Sequence, residues 1–214
     1  MAVKILSVND TIGLVHFSGL LSPEECTELI AAGESSNAKP SEVIYDVSDI
    51  SYETSGRRST VASPSVDRYP IIKAVRRRIS LFIGVAEENQ EPLQVLHYTR
   101  GGKYDIHYDS FLEGSPQLEN GGNRMLTVLL YLNDVEQGGW TQFPHIMANI
   151  VPSVGTGILF RNIDAQNLQL RESLHAGLPV IDGEKWIASI WIREKAYVAA
   201  LPADRKDEIS RRTL

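Results

Sequence analysis

The sequence predicts a mainly β fold with flanking helices, and three observations carry that reading. After Pro92, short runs rich in β-branched and aromatic residues follow one another at close spacing. Turns containing glycine, asparagine and proline separate them: EGSPQLENGGN, VEQGG, VPSVG and DGE. Before Pro92, apolar residues recur at helical spacing in two places. Many short strands in series point to a sandwich, a barrel or a jelly roll.

The first helix is expected over LLSPEECTELIAAGE. Ser22 stands at the N-cap, Pro23 at the first helical position, and Glu24 and Glu25 in the first turn, where the helix dipole favours anions. Cys26, Leu29 and Ile30 form its apolar face, and Gly33 is placed to end it. YPIIKAVRRRISLFIGV predicts a second helix. Ile71, Ile72, Val75, Ile79 and Phe82 share one face, and Arg76, Arg77 and Arg78 are expected on the solvated side. Between the helices, SDISYETSGRRSTVASPS is polar and rich in serine, and reads as a mobile loop.

Beyond Pro92, the strand runs are LQVLHYTR, MLTVLLYLND, TQFP, GTGILFRN, ESLHAGLPVI and KWIASIWIRE. On the last of them, Lys185, Ile187, Ser189 and Trp191 share one face, and Trp186, Ala188, Ile190 and Ile192 the other. The tail LPADRKDEISRRTL is charged and reads as a surface helix. The expected organisation is one domain over 1–214. A support region spans 1–91 and contains the polar loop, a β core spans 92–194, and the tail spans 195–214.

Composition narrows the function classes. With 43% hydrophobic and 22% charged residues, the chain falls among globular proteins. Its formal charge of -6 argues against nucleic acid as the main partner, because a phosphate backbone needs a basic field. No stretch approaches the roughly 20 apolar residues of a membrane span. The single cysteine, Cys26, allows no intrachain disulfide, and the first residues, MAVKILSVNDTIG, lack a signal-peptide run. The expectation is a cytoplasmic protein with no membrane association. Composition says nothing about oligomeric state.

KYDIHYDS places His107 and Asp109 two positions apart, so that on a strand both side chains would share a face. Two histidines and a carboxylate make a facial triad for Fe(II) that leaves coordination positions open. His175 is the best candidate for the second histidine. Ten residues after it comes Lys185, on a strand otherwise dominated by apolar residues, where an ammonium is costly unless an anion meets it. His16, His97 and His145 are assigned no role in catalysis.

LQVLHYTRGGKYDIHYDSF, GGNRMLTVLLYLNDVEQGGWTQFP, VPSVGTGILFRN and SLHAGLPVIDGEKWIASIWIRE together resemble the prolyl 4-hydroxylases among the iron(II)/2-oxoglutarate dioxygenases. LLSPEEC and ETSGRRS match more loosely. The resemblance is to the collagen-type and small microbial enzymes. It implies a distorted double-stranded β-helix, a cupin-like jelly roll, with N-terminal helices packed on one side.

The resemblance also implies site roles. His107, Asp109 and His175 would bind Fe(II), and Lys185 the distal carboxylate of 2-oxoglutarate, helped by Tyr98 and Thr141. Trp191 would line the pocket near the substrate. Arg57, Arg58 and Arg161 would touch the peptide, and Trp140 stands with Arg161 as a departure from the family pattern that alters which peptide is accepted. The implied reaction consumes O2 and 2-oxoglutarate, releases succinate and CO2, and hydroxylates C4 of a proline in a peptide or protein, with ascorbate as reductant. The loops 50–62 and 111–124 would close over that peptide. Two other readings stay open: an oxygenase for free proline or another side chain, and a catalytically silent jelly roll that binds proline-rich peptides.

Overall fold

The computed structural model describes residues 2–45 and 50–199. Its strands are β1 (Lys4–Asn9), β2 (Leu14–Ser18), β3 (Lys39–Pro40), β4 (Glu42–Tyr45), β5 (Ile50–Glu53), β6 (Arg57–Arg58), β7 (Thr60–Ala62), β8 (Gln94–Tyr98) and β9 (Lys103–His107). They continue as β10 (Arg124–Tyr131), β11 (Gln137–Gly138), β12 (Thr141–Phe143), β13 (Ala148–Ile150), β14 (Thr156–Arg161), β15 (His175–Gly177), β16 (Val180–Asp182) and β17 (Lys185–Arg193). Two α-helices, α1 (Pro23–Glu34) and α2 (Pro70–Ile83), precede the β core.

Among the described residues, all strand pairings are antiparallel. An eight-stranded sheet runs β1-β2-β14-β10-β17-β8-β7-β3, and a five-stranded sheet runs β13-β12-β15-β9-β6. Between them lies one apolar layer, with Leu96, Leu129, Ile158, Phe160 and Ile187 from the large sheet meeting Phe143 and Ile150 from the small one. The result is the expected jelly roll. A second layer covers the other face of the large sheet: Leu29, Ile72, Val75 and Ile79 of the helices pack on Val128, Leu130, Trp186, Ala188 and Ile190. β17 therefore has a core on both sides, which is why it reads as a near-continuous apolar run and why all nine of its residues are buried.

α1 begins as the sequence predicts. The Ser22 hydroxyl accepts from the Glu25 backbone N–H, and the Glu25 carboxylate accepts from that of Ser22, a complete capping box. Gly33 does not end the helix, which runs one residue further to a cap at Ser35. The glycine is needed for contact instead: a Cβ there would sit 2.6 Å from Val95 Cγ1. α2 ends at Gly84, whose φ of 70° is the left-handed conformation glycine adopts freely.

Two of the three arginines expected in solvent are structural. Arg76 donates to the carbonyls of Glu87, Gln90 and Glu91 and so fixes the approach to β8. Arg78 makes a bidentate pair with Glu25 at 2.6 and 2.8 Å, joining α2 to the cap of α1.

The segment expected as a mobile loop carries β5, β6 and β7, with β6 paired to β9 and β7 to β8. Residues 48 and 49 of it lie outside the described residues. Nor is 111–124 an open loop. Asn123 Oδ1 accepts from the Phe111 backbone N–H, its Nδ2 donates to the Phe111 carbonyl, and Pro116–Asn120 form a 3-10 turn. The change of sequence character at Pro92 is not a boundary in the sheet, because β1, β2, β3 and β7 all belong to the large one. The tail helix expected after residue 199 lies outside the described residues.

Candidate active site

The sheet register brings together what the sequence keeps apart. His107 ends β9, His175 begins β15, and the two are direct partners across the ladder. Asp109 lies two residues beyond the end of β9, so the expectation of one strand carrying both His107 and Asp109 is not met. The turn out of the strand still brings the carboxylate back. Oδ1 is 3.5 Å from His107 Nε2 and Oδ2 is 3.7 Å from His175 Nε2. One ligand atom from each residue lies within 4.8 Å of the others.

Each donor atom is held in place. His107 Nδ1 lies 2.8 Å from the Asp105 carbonyl, and His175 Nδ1 lies 2.9 Å from that of Ser173. A carbonyl only accepts, so Nδ1 carries the proton in both rings and Nε2 keeps its lone pair toward the centre. Thr127 Oγ1 donates to Asp109 Oδ2 at 2.7 Å and accepts from Asn162 Nδ2 at 2.8 Å. The Tyr104 ring stacks on His107 with centroids 3.5 Å apart, and Phe143 and Phe160 pack against His175.

Burial pushes the His175 imidazole down to about 4, so it is neutral at neutral pH. Burial alone would raise the Asp109 carboxyl, but the two imidazoles and the Arg124 guanidinium outweigh it and hold the group well below the usual carboxylate range. Two imidazole nitrogens and one carboxylate facing a common point suit a divalent first-row ion such as Fe(II).

Lys185 begins β17 directly opposite Tyr98 on β8. It is 3% exposed, and its Nζ donates to the Gly139 carbonyl at 2.6 Å. Among the described residues, no carboxylate pairs with it. Burial pushes its ammonium down to about 7. Thr141, also buried, accepts from the Tyr131 hydroxyl at 2.8 Å. Lys185, Thr141, Tyr98 and His175 line one inner pocket. A buried cation without an anion, lining the same inner pocket as a metal triad, is a seat for a ligand carboxylate.

Outside the triad opens a cleft of about 450 Å³, bordered by Lys39, Arg57, Tyr104, Tyr108, Arg124 and Trp191. Trp191 is buried, and among the described residues its Nε1 has no hydrogen-bond partner. Arg57 lies 4.5 Å over the Tyr104 ring and donates to the Glu42 carbonyl.

The two other arginines expected at the peptide do not reach this cleft. Arg58 alternates to the other side of β6 and borders a separate depression with Thr60 and His97. Arg161 is exposed at the end of β14, its side chain against Gly13, because strand alternation gives the inward position to Phe160. Trp140 is 40% exposed and is not among the residues lining either pocket.

Sequence reasoning missed Tyr104 and Arg124. Tyr104 stands three residues before His107 and shows nothing distinctive in one sequence. Arg124 precedes an apolar strand and looks like an ordinary strand start.

Comparison with known proteins agrees with this geometry. Residues 93–193 match the model of the 2OG-Fe(II) oxygenase superfamily. The chain is 34% identical over 200 residues to "Probable prolyl 4-hydroxylase 6" of Arabidopsis thaliana, covering 85% of this chain and 69% of that one. The chain is a member of the prolyl 4-hydroxylase family. A putative prolyl 4-hydroxylase of Acanthamoeba polyphaga mimivirus is 32% identical over 185 residues, covering 84% of this chain and 74% of the relative. The viral collagen prolyl hydroxylase of Paramecium Bursaria Chlorella virus-1, solved as a 2OG complex, superposes with a TM-score of 0.62 at 28% identity. That match covers 84% of this chain and 94% of the viral one. Family membership settles which of the expected folds applies, and it supports Fe(II), 2-oxoglutarate and O2 as the reactants at the triad.

Proposed function

We infer that this protein is an Fe(II)- and 2-oxoglutarate-dependent dioxygenase that hydroxylates C4 of proline within a peptide and releases succinate and CO2. The observation that carries the reading is the pairing of the His107–Asp109–His175 cluster with a buried, anion-free Lys185 in a member of this family. A silent peptide-binding module has no use for a buried lysine that lacks a counter-charge.

His107 Nε2, His175 Nε2 and an Asp109 oxygen would hold Fe(II), which, when bound, supplies the oxidising chemistry with dioxygen. Lys185 holds a proton at Nζ and orients the distal carboxylate of 2-oxoglutarate, with Thr141 and Tyr98 beside it. Tyr104, Arg57, Arg124 and Trp191 shape the place where a proline ring and its flanking peptide fit. Arg124 uses Nε and Nη2 on Glu91, and among the described residues its Nη1 has no protein partner, leaving a donor for a peptide carbonyl. Phe143 and Phe160 keep water from the back of His175.

Ascorbate is the proposed reductant that restores Fe(II) after uncoupled turnover. The cytoplasm is the proposed compartment, supported by a lone buried cysteine. The test is succinate release that requires Fe(II), 2-oxoglutarate and a proline peptide together, with mass spectrometry locating one added oxygen on the proline. Succinate release without any gain of mass on the peptide would refute the assignment of substrate.

A further inference from the structure

β17 carries a second charge that the reaction does not use. Arg193 lies two residues after Trp191 on the same face, is 1% exposed, and does not line the cleft. Its Nε donates to Glu91 Oε1 at 2.6 Å. That same oxygen accepts from Arg124 Nε at 2.7 Å, while Glu91 Oε2 accepts from Arg124 Nη2 at 2.9 Å. One carboxylate thus serves two guanidiniums. On the far side, Arg193 Nη1 donates to the carbonyls of Gln117 at 3.0 Å and Gly122 at 2.7 Å. Both belong to the 111–124 segment, whose Phe111 ring packs against the guanidiniums of Arg124 and Arg193 at 4.8 and 4.9 Å. Arg124 in turn lies 3.6 Å over the Trp191 ring.

We propose that Arg193 is a positioning residue for the peptide cleft: through Glu91 it sets Arg124 over Trp191, and through two backbone carbonyls it holds the 111–124 segment as a fixed wall. Three facts support this. Glu91 has no freedom to swing, because both its oxygens are engaged. Arg124 is thereby anchored at two nitrogens while it borders the cleft beside Trp191. The wall residue Phe111 is held by Asn123 on its backbone and by the two guanidiniums on its ring. A planar, forked donor is required here. A lysine could meet Glu91 or the carbonyls, but not both sets at once.

The inference rests on the proposed peptide-hydroxylating function, and the experiment separates the two. Succinate release and peptide oxidation are measured for the wild type, Arg193→Met, Arg124→Met and the double variant, titrating a proline peptide and 2-oxoglutarate in turn. If the wild type oxidises no proline peptide, the functional reading fails and this inference falls with it.

Given wild-type activity, Arg193→Met is expected to raise the peptide KM about tenfold and to leave the 2-oxoglutarate KM within about twofold. In the Arg124→Met background it is expected to add less than about twofold, because the two act in series. Full additivity, an equal loss for both substrates, or no change in the peptide KM would overturn the proposal.

Should Arg193→Met not fold, Arg193→Lys decides. A peptide KM raised by a smaller factor, with the 2-oxoglutarate KM unchanged, supports the role. An unchanged peptide KM, or failure of this variant to fold as well, overturns it.

Discussion

Lys185 concentrates the energetics of the site in one ammonium. Its pKa stands at about 7 in the fold against 10.5 when solvated, so between those values the unfolded chain binds a proton that the folded chain has released. Stability of the ligand-free protein should therefore rise with pH across this window and be lowest below 7, by an amount on the order of several kcal/mol. Lys185→Met should abolish that slope in denaturant titrations and leave the ligand-free protein more stable at neutral pH. The same variant should lose 2-oxoglutarate binding. Because the cosubstrate carboxylate favours the protonated amine, 2-oxoglutarate affinity should weaken as pH rises above 7, and calorimetry in buffers of different ionisation heat should show proton uptake. At the triad, Thr127→Val removes the donor to Asp109 Oδ2 and orphans Asn162 Nδ2. Fe(II) or Mn(II) titration should then show affinity falling about ten- to a hundredfold, the usual loss when a ligand's hydrogen-bond partner is removed.

Elements owe their positions to a few close contacts. Gly33 sits inside α1, where alanine would favour the helix by about 1 kcal/mol. Packing opposes it: the new Cβ would meet Val95 Cγ1 at 2.6 Å and push α1 off β8. Overpacking of that kind costs about 1–3 kcal/mol, so Gly33→Ala should be net destabilising in urea unfolding despite the gain in helix propensity. Ser22→Ala should cost about 1 kcal/mol through the lost cap, and more if Glu25 then releases Arg78. The 111–124 segment teaches the same point. Its composition of glycine, asparagine and serine reads as loop, yet Asn123 and Arg193 tie it down. In hydrogen exchange, the Phe111 amide should be slow before peptide is added and unchanged after, whereas amides around Arg57, at the cleft edge, should slow on peptide binding.

At the scale of the molecule, two sheets close on one apolar layer: the small one carries His107 and His175, with Asp109 just beyond β9, and the large one carries Lys185, Tyr98, Thr127 and Trp191. His107 and His175 face each other across one ladder, Lys185 and Tyr98 across another, and Thr127 and Trp191 across a third. The β character, both helices and the identity of His107, Asp109, His175 and Lys185 were legible in the chain itself. Periodicity is local, and a lysine within an apolar strand is conspicuous. Arg193 satisfied the same criterion on the same strand and could have been found by it. What tertiary structure alone decided was convergence and facing. Strand register set His175 directly opposite His107, and alternation turned Arg57 inward while sending Arg58 and Arg161 elsewhere. Long-range hydrogen bonds from Arg76, Asn123 and Arg193 made fixed structure of residues that look solvent-bound in one dimension. The sequence determines which groups exist and which local elements carry them. The pairing of strands distant along the chain determines which of those groups share a site, because that depends on contacts no single segment contains.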